Sequence, residues 1–209
     1  MIGSSLDRWS GLAGIIAVIL LAAGAALFGV YDYLPSSESL TERLTEGNAM
    51  VSAGGYLGVV GAFFLIWFAG SLYRILRTRE GGSGWLSTLV VGGGVAAGTV
   101  LAIGFSAIVS SAARAGTAQG IPPDEALALY DLYSQMLGLA FAVAIAVHIA
   151  AVAVLSLRTA VLPAWFAWIS LVVVVGLLSP LSYVALAAVI VWLVVMSLWS
   201  VRARVAGAA

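Results

Sequence analysis

Long apolar runs separated by short polar clusters dominate this chain. Six of them approach the roughly 20 residues that a helix needs to cross a hydrocarbon core about 30 Å thick. They cover residues 11–31, 50–73, 86–110, 130–157, 163–178 and 181–201. The fifth is short for a full span. Ser179-Pro180 forms a turn between the last two, since proline cannot continue one helix but suits the start of the next. The pattern predicts an all-α integral membrane protein, a single domain over residues 1–209 built as a six-transmembrane-helix bundle. The first run is longer than the roughly 7–15 apolar residues of a signal peptide, so it reads as a retained helix.

The polar clusters give the expected orientation. Arg8, Arg74, Arg77, Arg79, Arg158, Arg202 and Arg204 fall on one side of the alternation, and only Arg43 and Arg114 on the other. The positive-inside rule then places both termini in the cytoplasm. The acids agree: Asp7 and Glu80 lie inside, the other seven outside. Trp9, Tyr73, Trp85, Trp165, Trp168 and Trp199 fit an inner aromatic belt. Tyr31, Tyr33, Tyr56, Tyr130 and Tyr133 fit an outer one. In the first outer loop, Ser39 and Glu42 have capping-box spacing, and Leu40 and Leu44 share a helical face. Pro122-Pro123-Asp124-Glu125 reads as a helix start, so the fourth helix is expected to begin near Pro123 and project beyond the lipid.

Composition narrows the chemistry. Hydrophobic residues make up 63% and charged residues 9%, against about 45–50% and about 25% in soluble domains. With no cysteine, thiolate metal sites and thiol catalysis are excluded. With no lysine, retinal and pyridoxal Schiff bases are excluded as well. His148 is the only histidine, which removes bis-histidine haem and histidine-rich metal sites from a single chain. Net charge is zero, without a basic patch for nucleic acid. No nucleotide, calcium or zinc motif occurs in a soluble segment. No cofactor and no bound metal are therefore expected.

Of 24 glycines, 21 lie in the first 120 residues. Gly54, Gly58 and Ala62 repeat at four-residue spacing in the second run, and Gly94 and Gly98 in the third. Small residues four apart let helix backbones approach closely. Close packing of these two helices is the commoner use of such faces, and a glycine-lubricated gate is the sharper alternative. The two halves show no three-plus-three repeat of the transporter kind.

His148 lies deep in the fourth helix. Polar residues in lipid usually face the bundle interior, which makes it the leading candidate for proton handling or ligand binding. The plainer reading is a neutral ring satisfied by a carbonyl or hydroxyl of a neighbouring helix, with Gly94, Gly98 and Thr99 at comparable depth. Asp131 and Gln135 share one face at the outer end of the same helix. Tyr130, Ser134 and His148 share another, since eighteen residues make about five turns. Gly104-Phe105-Ser106-Ala107 lacks the second glycine of a rhomboid-type Gly-x-Ser-Gly motif. Ser106 and His148 also differ in depth by roughly 16 Å, so no hydrolase dyad is expected.

Several segments resemble the uncharacterised six-helix bacterial membrane proteins of the domain-of-unknown-function 4386 type and their actinobacterial relatives. They are Arg8-Trp9-Ser10-Gly11-Leu12-Ala13-Gly14, the acidic first loop, Tyr73-Arg74-Ile75-Leu76-Arg77 and residues 157–168. Ala164 stands where that group often has a basic residue after the proline. The resemblance implies a six-helix bundle in the bacterial inner membrane and supplies no activity. The expectation is a non-enzymatic accessory or scaffold component. Besides the lipid bilayer, its candidate partners are another membrane protein or a second copy of itself. The alternative is a small transporter or lipophilic-ligand binder, with a pocket between the second, third and fourth helices near His148.

Overall fold

A computed structural model describes residues 2–29 and 35–206, and among these the chain is helical without strands. The helices are α1 (Ile2–Phe28), α2 (Ser37–Glu46), α3 (Asn48–Glu80), α4 (Trp85–Ala115), α5 (Pro123–Gln135), α6 (Phe141–Thr159), α7 (Ala164–Leu177) and α8 (Ser182–Ala206). A π-helical turn, Met136–Ala140, joins α5 to α6. Among the described residues five spans are long and apolar enough to cross a membrane, with α5, the π turn and α6 forming one of them. The 14 residues of α7 rise only about 21 Å, short of a hydrocarbon core of about 30 Å. Its apolar length therefore falls below that of the five, as the shortness of the fifth run in the sequence predicts. Tyr31, Asp32 and Tyr33 lie outside the described residues, as do the side chains of Asp7, Arg8, Trp9 and Arg204.

Helix ends are closed by specific groups. The N-cap of α2 is Ser36, whose Oγ accepts from Ser39 N–H at 3.1 Å. Ser39 itself sits in the first turn, so the cap lies three residues before the one expected from the Ser39–Glu42 spacing. Leu40 and Leu44 are buried, and α2 packs over α5 and α4. From α2, Arg43 donates to Phe28 O at 3.0 Å and Leu27 O at 2.9 Å, satisfying carbonyls that the end of α1 leaves unpaired. Arg114 pairs with Glu125 of α5. The two arginines on the minority side of the charge pattern thus have local structural partners. Asn48 Nδ2 donates to Ala112 O, tying the start of α3 to the end of α4.

At the opposite end, Gly81, Gly82 and Gly84 turn the chain at positive φ. Gly84 offers α4 no side-chain cap. Glu80 replaces it, accepting from Leu86 N–H and Ser87 N–H, both at 2.9 Å, and from the Ser87 hydroxyl. Ser197 Oγ donates to Gly11 O at 2.7 Å, so the end of α8 lies beside the start of the apolar part of α1. The early part of α1 and the last turns of α8 consequently lie at the same end of the bundle.

The core is organised around α3, which packs against both α1 and α4, while α4 packs in turn on α6. A Cβ on Gly24 would lie 2.7 Å from Gly54 O, and one on Gly58 would strike the Phe105 ring. One glycine row therefore serves two neighbours, α1 and α4. Gly24, the α1 counterpart of Gly54, stands alone in its own helix without a four-residue partner to signal it.

Candidate functional site

His148 is fully buried on α6. Two adjacent glycines of α4 make room for it. A Cβ on Gly93 would lie 2.7 Å from His148 N, and one on Gly94 would lie 3.0 Å from His148 Nδ1 while colliding with Ala69. His148 Nδ1 approaches Val90 O to 2.6 Å. A carbonyl can only accept, so Nδ1 carries the proton of this bond. Nε2 has no hydrogen-bond partner among the described residues. The ring meets Trp192 edge-on at 5.6 Å and Phe68 at 6.5 Å. Trp192 Nε1–H donates to Ser170 Oγ at 2.9 Å, and the Ser170 hydroxyl donates to Phe166 O at 2.9 Å. Ring contacts and hydrogen bonds around His148 bring together α3, α4, α6, α7 and α8, with one hydrogen-bonded pair on each side of the His148–Trp192 contact.

The other sequence candidates do not converge on it. Thr99 is exposed, facing away from the ring it was expected to accommodate. The histidine's partner on α4 is the backbone carbonyl of Val90 instead. Gly98 packs against Ile66 and Ala62 O of α3. Asp131 and Gln135 are exposed on α5, and Ser134 is half-buried there. Fourteen residues separate Ser134 from His148, about 21 Å along a helix. The π turn between them also advances the helical phase by roughly one residue, so the face shared by Tyr130, Ser134 and His148 in an ideal helix is broken. Ser106 is exposed, its hydroxyl donating to Ala102 O of its own helix at 2.7 Å.

A different feature has the shape of a binding site. An apolar cleft of about 220 Å³ opens between α1 and α8. Leu21 comes from α1, Leu101 and Phe105 from α4, Leu137 from the π turn, Phe141 from α6 and Leu186 from α8. Ala22 and Ile190 line it yet remain exposed, so the mouth faces sideways out of the bundle. Gly58 seats the Phe105 ring beneath it, and Tyr133 braces that ring edge-on at 5.5 Å. His148 is not among its lining residues. Sequence patterns carry no mark of this cleft, because ordinary aliphatic residues from separate segments build it. The nearest local signal, Gly138 inside the π turn, looks like any packing glycine.

No protein-family model matches the chain, and no curated protein or solved structure is significantly similar to it.

Proposed function

We propose that this chain is a non-enzymatic, multi-pass protein of the bacterial inner membrane that holds the apolar chain of a lipophilic ligand in the α1–α8 cleft. The observation that carries the reading is the cleft itself: lined by aliphatic and aromatic side chains and open toward the side where lipid would lie. Sites for apolar ligands are concave and mostly apolar in this way. Six spans with cytoplasmic termini accommodate the arginine distribution and the side-by-side placement of Gly11 and Ser197. In that topology α7 crosses where the bilayer is locally thinned or its ends are reached by interfacial residues. The resemblance to the domain-of-unknown-function 4386 group fits the bundle and adds no residue role.

An accessory or scaffold role is the second reading, and it loses one of its supports. The glycine faces suited to partner helices are filled within the chain by Gly24, Phe105, Ala69 and Ile66. What favours it now is the outer face of α7, where Trp165, Trp168, Val172 and Val175 are each more than 60% exposed. A membrane partner or a second copy would cover that face.

Leu137→Trp fills the cleft from its π-turn wall and separates the readings. Native mass spectrometry of protein gently purified from its own membrane is expected to show a reproducible lipophilic species on the wild type. The variant, with an unchanged thermal midpoint, is expected to lack it. Retention of that species by the variant, or no bound species on the wild type, overturns the cleft reading. A stoichiometric protein partner instead would establish the accessory role.

A further inference from the structure

At the end of the bundle where Ser197 of α8 meets Gly11 of α1, a second cavity of about 270 Å³ lies between α7 and the last turns of α8. It is independent of the α1–α8 cleft. Leu162, Phe166 and Met196 form its buried floor, Trp165 and Trp199 its walls, and Arg202 stands at its mouth. From this geometry we infer that the groove seats one anionic phospholipid, with an acyl chain along Met196 and Phe166 and the phosphate on Arg202.

The direction of the groove fits this occupant. Met196 lies six residues before Arg202, about 9 Å deeper along α8, so the apolar floor runs from the charged mouth toward the middle of the bundle. An acyl chain takes the same course from its headgroup. Indole rings favour the zone between headgroups and hydrocarbon, where Trp165 and Trp199 then lie.

Charge decides the headgroup. Arg202 is exposed and has no hydrogen-bond or ion-pair partner among the described residues. Glu80, the described acid at this end, is taken up by the amides and hydroxyl at the start of α4. Arg77 of the same end is likewise engaged, donating to Gly81 O and Gly82 O. Among the described residues Arg202 is therefore a guanidinium without a counter-ion at the mouth of an apolar groove, and guanidinium matches the forked oxygens of a phosphate. Basic pockets between helices near the cytoplasmic interface select anionic headgroups by this chemistry. A zwitterionic lipid would bring its own cation beside Arg202.

The test uses the full chain in mixed micelles containing equimolar phosphatidylglycerol and phosphatidylcholine, with lipid adducts counted by native mass spectrometry. The wild type is expected to carry one phosphatidylglycerol in preference to phosphatidylcholine by about fivefold. Arg202→Gln is expected to abolish that preference. Arg79→Gln removes another exposed arginine near the same end, outside the groove lining, and is expected to leave it intact. Equal binding of the two lipids by the wild type overturns the inference. So does a preference that survives Arg202→Gln, or a lipid-free dimer seated on the groove.

Discussion

The block formed by α1, α3, α4 and α6 and the edge formed by α7 and α8 solve the same problem in different ways. In the block, backbones touch. Gly24 lies against Gly54 O, Gly61 against Leu21, and Gly93 against the backbone of His148. At the edge, contact runs through side chains, as in the Trp192–Ser170 hydrogen bond and the packing of Gly176 on Ala185. Lipid is as apolar as the helices, so association there rests on close dispersion contact or on directional bonds. The block rests chiefly on the first, with the His148–Val90 and Asn48–Ala112 bonds added, and the edge leans on the second. Side-chain packing leaves gaps where backbone packing does not: both the cleft and the groove border α8.

The largest effect is expected where the block is tightest. In Gly58→Leu the new side chain occupies the position of the Phe105 ring, and overpacking of this kind costs about 3 kcal/mol or more. Little monodisperse protein should survive detergent extraction, and its thermal midpoint should fall sharply. Val172→Ala on the exposed face of α7 is expected to stay within about 0.5 kcal/mol of the wild type. Similar losses at both positions would erase the distinction between block and edge.

The edge has its own weak point. Ser170→Ala leaves the buried Trp192 Nε1–H without its acceptor, an orphaned donor costing about 1–3 kcal/mol. Adding Trp192→Phe removes the donor as well, so the double variant is expected to lose less than the two single losses combined. Chemical denaturation of all four proteins gives the coupling energy. Additive losses would mean that the edge is held by shape alone.

The helices of block and edge are both legible in the amino-acid sequence, α7 and α8 and the turn between them included, whereas the packing between helices is far less so. A bilayer demands helices of a certain length with every backbone group paired internally, so apolar run length reports the long spans directly. Pro122-Pro123-Asp124-Glu125 marks the start of α5 because proline and acids suit a first helical turn. Gly54 and Gly58 announce close packing, but not that they serve different neighbours. The partner of His148 is hidden because it is the carbonyl of Val90, a group every residue possesses. The π turn has no recognisable signal, and it shifts the phase on which the face shared by Tyr130, Ser134 and His148 depends. The cleft and the groove depend on where aliphatic side chains from distant segments leave space, and hydrophobic patterning is blind to that.

The finest form of the comparison lies within two consecutive residues. Gly92 and Gly93 follow one another on α4, yet a Cβ on Gly92 would meet nothing within 4 Å while one on Gly93 would press on His148 N at 2.7 Å. Alanine at Gly92 therefore gains helix propensity and loses no contact, raising stability by about 0.5–1 kcal/mol. Gly93→Ala reverses the sign, because α6 must move away from α4 to admit the methyl group. Thermal midpoints of the two variants, measured side by side, check this. A loss at Gly92 comparable to that at Gly93 would mean that the outward face of α4 is covered in the membrane. Only a packed protein surface would respond so strongly to one methyl group, and the case for a membrane partner would then rest on α4 rather than on α7.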